Sequence, residues 1–182
     1  MATRMAPARR TNEPVVRPDA CCIETHDGLE YTWRDVDRAS AMLANLLVRL
    51  RLPAGSRVAV QVEKSPEALL LYLATLRAGY VYLPLNTAYR ESEIDYFIDN
   101  ASPALVVCSP ASEAWVAPIA ARHRVRHVLT LGDDRTGTLL SAAAQMPDAF
   151  ETVMRRASDL AAILYTSGTT GRSKGAMLSH GN

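Results

Sequence analysis

The chain has 182 residues, of which 48% are hydrophobic and 21% are charged, with 20 Lys and Arg against 19 Asp and Glu. This composition is typical of a globular protein of one domain, or of one domain and part of another, and it excludes a chain that is disordered throughout. The formal net charge of +1 argues against an electrostatic nucleic-acid binder. No apolar run approaches the ~18 residues that a membrane span needs.

The three cysteines indicate a reducing compartment, and we expect a cytoplasmic protein. Cys21 and Cys22 are adjacent, while Cys108 stands alone in an apolar run. Three cysteines at this spacing suit neither a disulfide framework nor a zinc site. Cys108 is interpreted as a small buried hydrophobe.

The N-terminal segment, residues 1–18, is basic and contains three prolines. It has no apolar stretch of the kind that a secretory signal requires, and its prolines interrupt any helix. We predict a disordered basic tail or a misassigned start codon, with a transit peptide as the lesser alternative. The folded part is then residues 19–182.

The first elements carry local signals of their own. The dipeptide Asp27–Gly28 lies between β-prone flanks and predicts a hairpin turn. Thr32 is placed to cap a helix over residues 34–50, where apolar residues recur at helical spacing. A second helix is predicted to begin at Ser65–Pro66 and to stop before Gly79, because Ser caps helices, Pro suits the first turn and Gly ends them.

Strands and helices then alternate at short intervals. The fully apolar run at residues 104–108 indicates a strand that is buried on both faces. The fold class predicted from this order is α/β, a layered and mainly parallel sheet with flanking helices. The irregular stretch 132–158 is the nearest candidate for a domain boundary. The remaining predicted elements are strands at 57–62, 80–85, 104–109, 125–131 and 159–165, helices at 90–100, 113–124 and 139–145, and a helix beginning near residues 177–182.

A Gly- and hydroxyl-rich loop follows the last predicted strand, in the sequence LAAILYTSGTTGRSKG at residues 160–175. Its three glycines allow positive φ and close approach of a ligand, and its exposed N–H and hydroxyl groups suit phosphate oxygens. Lys174 adds a point charge against a polyphosphate. The alternative is an ordinary surface turn, but the length of the loop and its place after a buried strand favour phosphate binding. The Walker A and G-x-S-x-G patterns are both absent.

The loop resembles the phosphate-loop signature T-S/T-G-S/T-T-G-x-P-K-G of the adenylate-forming superfamily, which includes acyl-CoA synthetases, firefly luciferase and peptide-synthetase adenylation domains. The match covers residues 166–171, Lys174 and Gly175, and it departs at Ser173, where most members have Pro. Residues 61–108 also resemble the superfamily's first subdomain. Within the superfamily, the stretches EKSPEALLLYLAT and VYLPLNTAY and the Ser before the loop lysine are most similar to malonyl-CoA synthetases.

The resemblance implies a two-step reaction. A carboxylate attacks the α-phosphate of ATP–Mg²⁺ to give an acyl-adenylate and pyrophosphate, and a thiol, that of coenzyme A, then displaces AMP. It also implies that the loop holds the β- and γ-phosphates, with Thr166 nearest to Mg²⁺. The implied ATP-binding residues are Thr166, Ser167, Gly168, Thr169, Thr170, Gly171, Arg172, Ser173 and Lys174.

The superfamily's remaining machinery is not found in this sequence. An adenine-binding segment, a ribose-binding Asp, a hinge Arg and a lid Lys would all follow the loop, and no catalytic residue is identified here. The resemblance therefore predicts a partial AMP-binding N-terminal domain without the C-terminal lid. We expect it to be inactive alone and poorly soluble because of unpaired strand edges.

Three alternatives stay open at this stage: an acyl-CoA synthetase for another acid, an adenylation domain that serves a carrier protein, and a non-catalytic remnant. His123 and His127 lie four residues apart, a spacing compatible with a metal pair. Their neighbourhood of Arg residues favours a solvated basic edge instead. The other histidines, the tyrosines and the Glu63–Lys64 pair receive no catalytic role.

Overall fold

A computed structural model describes residues 17–166 and 173–182 of the chain. The strands are β1 Cys21–Glu24, β2 Glu30–Thr32, β3 Arg57–Gln61, β4 Val81–Pro84, β5 Leu105–Cys108, β6 His127–Thr130, β7 Leu160–Thr166 and β8 Lys174–Ser179. The helices are α1 Trp33–Arg49, α2 Pro66–Arg77, α3 Glu91–Ala101, α4 Glu113–Arg122 and α5 Thr138–Ala143, with a single 3-10 turn at Pro110–Ser112 before α4. The predicted elements up to β7 are confirmed, with ends that differ by a few residues.

The main sheet has six strands in the order β6-β5-β3-β4-β7-β8. All neighbours are parallel except β7 and β8, which pair antiparallel. Strands β1 and β2 form a separate antiparallel hairpin, as the Asp27–Gly28 turn predicts. The α/β class with a mainly parallel sheet is confirmed. In such a sheet the carboxyl ends of the parallel strands meet at one edge, where ligands commonly bind.

Local capping explains where the first two long helices begin. The Thr32 side chain accepts a hydrogen bond from the Asp35 backbone N–H, and the Asp35 carboxylate accepts one in return from the Thr32 N–H. This reciprocal pair satisfies two donors that the first turn of α1 would otherwise leave open. Ser65 accepts from Ala68 N in the same way at the start of α2.

Two apolar layers cover the sheet, one on each face. Helices α1, α2 and α5 pack on one face against Val58, Val60 and their neighbours, and α3 and α4 pack on the other against Ala59. The alternation along β3 follows from the two-residue period of a strand. Cys108 is fully buried, as expected, and burial raises the pKa of its thiol to about 12.

The prediction of a helix beginning near residues 177–182 is wrong. Residues 174–179 form strand β8, which runs back along β7 with Thr166 opposite Lys174 and Leu160 opposite Ser179. The reason is tertiary: without β8, the backbone groups of β7 would form an open sheet edge. Pairing with the next available segment outweighs the weak helical preference of a short sequence such as AML.

No helix within residues 17–166 and 173–182 combines the length and the apolar character needed to cross a bilayer.

Candidate phosphate-binding site

The predicted phosphate loop connects β7 to β8 at the carboxyl edge of the parallel sheet. The described part of the loop is its base, which consists of Thr166 on one side and Ser173 and Lys174 on the other. The other predicted ATP-binding residues, Ser167, Gly168, Thr169, Thr170, Gly171 and Arg172, lie outside the described residues.

The two sides of the base are held together by the β7–β8 ladder. Thr166 pairs with Lys174 and Tyr165 pairs with Gly175, and the Thr166 hydroxyl lies 3.5 Å from the Lys174 carbonyl oxygen. A Cβ on Gly175 would lie 2.9 Å from Cγ2 of Ile163, so the close approach of the strands requires glycine here. The hairpin therefore fixes the positions where the loop leaves and rejoins the sheet.

Both polar side chains at the base are available to a ligand. Thr166 and Lys174 are exposed, and Lys174 makes no ion pair with a carboxylate in the described part of the chain. An uncompensated ammonium group beside a hydroxyl favours a polyanion at this point.

Helix α3 anchors the base of the loop through two tyrosines. The Tyr96 hydroxyl donates to the Ser173 carbonyl oxygen at 3.0 Å, and the Tyr165 hydroxyl donates to Oδ1 of Asn100. The Tyr165 ring also packs on Phe97, with ring centroids 4.4 Å apart. Partial burial in this cluster raises the pKa of Tyr165, so its hydroxyl stays protonated and able to donate at neutral pH.

The same edge of the sheet contains a cavity of about 420 Å³ beside the ends of β3, β5 and β6, lined in part by Gln61, Thr87 and Ser109. Gln61 is almost completely buried, and its Nε2 donates to the carbonyl oxygens of Asn86 at 3.1 Å and Tyr89 at 3.0 Å. These bonds hold the segment that follows β4. The Oε1 atom of Gln61 has no hydrogen-bond partner among the described residues.

The sequence reasoning missed the residues that position the loop. Tyr96 and Asn100 lie within a helix that is recognised by its apolar face, and their contacts with β7 and Ser173 join segments 65 and 77 residues apart. No local motif marks such contacts. Gln61 lies near the end of the strand predicted at 57–62, and the ends of parallel strands commonly face a ligand edge.

The histidine pair has a structural explanation. Nε2 of His123 lies 2.7 Å from Oδ1 of Asp95, and Arg122 bridges the same carboxylate at 3.1 Å. Within residues 17–166 and 173–182 no group of three or more His, Cys, Asp or Glu side chains is arranged to hold a metal ion. The His123 side chain is only 19% exposed and lies against two carboxylates of α3, so at this residue the expected solvated basic edge is instead a contact between α3 and α4.

The residues at the loop base fit a magnesium–nucleotide complex. Thr166 offers a hard oxygen ligand, and Mg²⁺ commonly needs only one or two protein oxygens when phosphates and water complete its shell. Lys174 offers charge to the phosphates without competing for the metal.

The comparisons with known proteins agree with this geometry. The family model described as AMP-binding enzyme matches residues 9–182. The chain belongs to this family of AMP-binding enzymes.

Among solved structures, ATP-bound MatB from Rhodopseudomonas palustris is 55% identical, with a TM-score of 0.86 over 90% of this chain and 32% of that protein. A feruloyl-CoA synthase from an Amycolatopsis species is 32% identical over 97% of this chain and 33% of its own length. The hybrid PKS-NRPS synthetase pydA from an Acremonium species is 32% identical over 90% of this chain and 4% of its own length. The chain thus spans about a third of MatB and of the feruloyl-CoA synthase.

Proposed function

We propose that this chain supplies the nucleotide-phosphate site of an ATP-dependent carboxylate–CoA ligase that acts through an acyl-adenylate and uses malonate. The observation that carries the proposal is the β7–β8 hairpin, which presents Thr166 and Lys174 at the carboxyl edge of the sheet, with no ion pair to Lys174 among the described residues. Family membership and the likeness to ATP-bound MatB support the same assignment.

The loop's part in the reaction is electrostatic. As the carboxylate attacks the α-phosphate, negative charge develops on the departing pyrophosphate. Lys174, with the N–H and hydroxyl groups of residues 166–173, offsets that charge. The hydrogen bond from Tyr96 to Ser173 keeps the lysine side of the loop in place.

Mg²⁺ belongs to the same proposal. The Thr166 hydroxyl would hold the ion, which would supply positive charge for the leaving pyrophosphate. Coenzyme A is proposed as the thiol that accepts the acyl group. The three cysteines are free, which supports a reducing, cytoplasmic location for this chemistry.

Malonate is favoured over other acids by the likeness to MatB, a malonyl-CoA synthetase. The feruloyl-CoA synthase and the hybrid synthetase are less similar, at 32% identity each. An adenylation domain that passes its acyl group to a carrier protein is the second candidate, and the likeness to the hybrid synthetase supports it.

The test is ATP–pyrophosphate exchange and acyl-CoA formation by the protein that the whole reading frame encodes, with malonate, acetate and ferulate compared. We expect exchange to depend on malonate and malonyl-CoA to form. Malonate-dependent exchange without any use of coenzyme A would favour the carrier-dependent alternative. No exchange with any acid would contradict the ligase assignment.

A second experiment tests the role of the loop separately from the identity of the acid. Residues 19–182 replace the matching third of MatB, where 55% identity makes compatible packing a reasonable expectation. We expect this chimaera to retain exchange and its Lys174→Ala and Thr166→Ala variants to lose most of it. Unchanged exchange in both variants would remove these residues from the proposed site.

A further inference from the structure

A second concave site lies at the amino edge of the sheet, opposite to the phosphate loop. It is a cleft of about 410 Å³ between the segments that precede β3, β5 and β6, and we name it the basic cleft. Its ionisable lining residues all carry or can accept positive charge, and they are Arg51, Arg57, Arg124, Arg126, His123 and His127.

The walls of the basic cleft are built from three sharp corners. Arg51, Ser102 and Arg124 follow the ends of α1, α3 and α4 and have φ values of 53°, 45° and 60°. This left-handed conformation is uncommon for residues other than glycine. Three of the four such residues in the described part of the chain therefore line one cleft.

The positive charge of the basic cleft is largely uncompensated. Arg57 is occupied, because Nε donates to the Ala101 carbonyl oxygen at 2.6 Å and Nη2 donates to that of Ser102 at 3.2 Å. In contrast, Arg51, Arg124 and Arg126 make no ion pair within residues 17–166 and 173–182.

Two carboxylates near the cleft, on its α3–α4 side, form contacts with Arg122 and His123 rather than with the unpaired arginines. Asp95 contacts Arg122 at 3.1 Å and His123 at 2.7 Å, and Asp99 lies 3.4 Å from the other ring nitrogen of His123. These contacts leave the three unpaired arginines without a counter-charge among the described residues.

Helix dipoles account for only part of this arrangement. Cations stabilise helix C-termini, and Arg49 and Arg122 in the last turns of α1 and α4 meet that requirement. Arg126 lies immediately before a strand rather than in a helix end. At Arg51 and Arg124 glycine would satisfy the backbone with less strain, so the side chains call for another explanation.

We propose that the basic cleft binds a small polyanion that carries two or more phosphate or carboxylate groups. Guanidinium groups match both anions with paired N–H donors, and a cleft of this volume is of small-molecule size. Among the described residues its lining offers no Phe, Tyr or Trp ring for a nucleobase, so recognition rests on the anionic groups. The site is independent of the proposed ligase function because it lies at the opposite sheet edge.

The test measures binding of two probes, tripolyphosphate and citrate, by calorimetry to the protein that the whole reading frame encodes. The background is Lys174→Ala, so that the phosphate loop contributes little. We expect the double variant Arg51→Gly/Arg124→Gly to weaken binding about tenfold or more, since two charge-assisted contacts are lost. The melting temperature should stay unchanged or rise, because glycine relieves the left-handed corners.

Two further variants test the proposal. The first removes a cleft charge without changing a corner, and the second controls for the loss of one positive charge elsewhere on the protein. Arg126→Gln removes a cleft charge without touching a corner, and we expect it also to weaken binding. Arg34→Gln removes an exposed charge near the start of α1, at the other end of that helix, and should leave binding unchanged.

The outcomes separate the possibilities. Loss of binding in the cleft variants alone supports the proposal, and the stronger of the two probes identifies the preferred anion. Equal binding by every variant, or binding that vanishes with Lys174→Ala, would overturn it. Tight binding of an RNA oligomer or of polyglutamate, with neither small probe bound, would also overturn it in favour of a macromolecular partner.

Discussion

Strands β4 and β7 are neighbours in the sheet, yet they belong to different environments. Leu83 in β4 is fully buried, whereas Leu164 in β7 is 39% exposed. Helices cover the sheet around β3, β4 and β5 on both faces, but the β7–β8 hairpin keeps four consecutive β8 residues, 174–177, exposed. The parallel strands thus form a packed scaffold. The β7–β8 hairpin lies at one side of that scaffold and carries the loop.

This difference indicates how stability and ligand binding are divided. The scaffold is stabilised by apolar burial that continues through several layers. The hairpin is connected to it by the β4–β7 pairing, by the aromatic cluster around Phe97 and by the hydroxyl bonds of Tyr96 and Tyr165. Changes in the scaffold should affect folding, while changes in the hairpin should affect ligand binding.

The largest expected effect is on folding. Leu83→Ala should lower the free energy of unfolding by about 2–5 kcal/mol, because it leaves a cavity in the packed core. Leu164→Ala makes the same chemical change one strand away and should cost less than about 1 kcal/mol, since the side chain is partly exposed. Urea denaturation measures both. Similar losses for the two variants would contradict the division between scaffold and hairpin.

The second effect is on catalysis. Lys174→Ala in the MatB chimaera should reduce ATP–pyrophosphate exchange about a hundredfold, as expected for loss of a preorganised charge at the leaving group. Stability should change by less than about 0.5 kcal/mol, because the side chain is exposed. Met177→Ala, a truncation of an exposed β8 residue, is the control and should alter neither quantity.

A smaller effect should follow when the anchor of the loop is removed. Tyr96→Phe deletes the donor to the Ser173 carbonyl oxygen, a bond that contributes about 1 kcal/mol. We expect KM for ATP in the chimaera to rise about fivefold, with a smaller change in kcat. Tyr72→Phe is the matched control, because that ring packs on Tyr82 away from the loop. An unchanged KM would exclude Tyr96 as a positioning residue.

The smallest effect concerns acid stability of the scaffold. The hydrogen bond from His123, with the nearby Arg122, lowers the pKa of Asp95 in the folded state. Its contribution to stability is therefore present above about pH 4 and is lost as pH falls through the lower folded pKa. Thermal melts from pH 6 to pH 2 should show a shallower acid loss for Asp95→Asn.

The control for this titration is Glu151→Gln, which removes an exposed carboxylate without a described partner. Its melting curve should follow that of the unaltered chain at every pH. If Asp95→Asn also follows it, the contact between α3 and α4 has no role in acid stability.

Most of the scaffold was predictable from local sequence signals. The cap at Thr32 and the Ser65–Pro66 start each use contacts within three residues, so the sequence alone reveals them. The apolar run at residues 104–108 likewise predicts a strand that is buried on both faces. The prediction for residues 177–182 failed because β8 forms only through pairing with β7, and six residues carry little intrinsic preference.

The sequence predicts the chemistry of the candidate site, but it does not reveal the residues that support the loop. The glycines, the hydroxyls and Lys174 predict a phosphate loop, because those groups are what phosphate oxygens require. The Tyr96 contact with Ser173 joins segments 77 residues apart and follows from the docking of α3 on the hairpin. The basic cleft is equally non-local, since its arginines come from three separate corners.

The sequence by itself determined the α/β alternation and the approximate starts of the first two long helices, and it predicts phosphate chemistry for the loop, because these depend on contacts within a few residues. Only the tertiary structure decided that β8 is a strand, that Tyr96 bonds to Ser173 and that Arg51, Arg124 and Arg126 share one cleft. Those features arise when distant segments meet at the two edges of the sheet. Their energies come from pairing and packing that no short window of sequence contains.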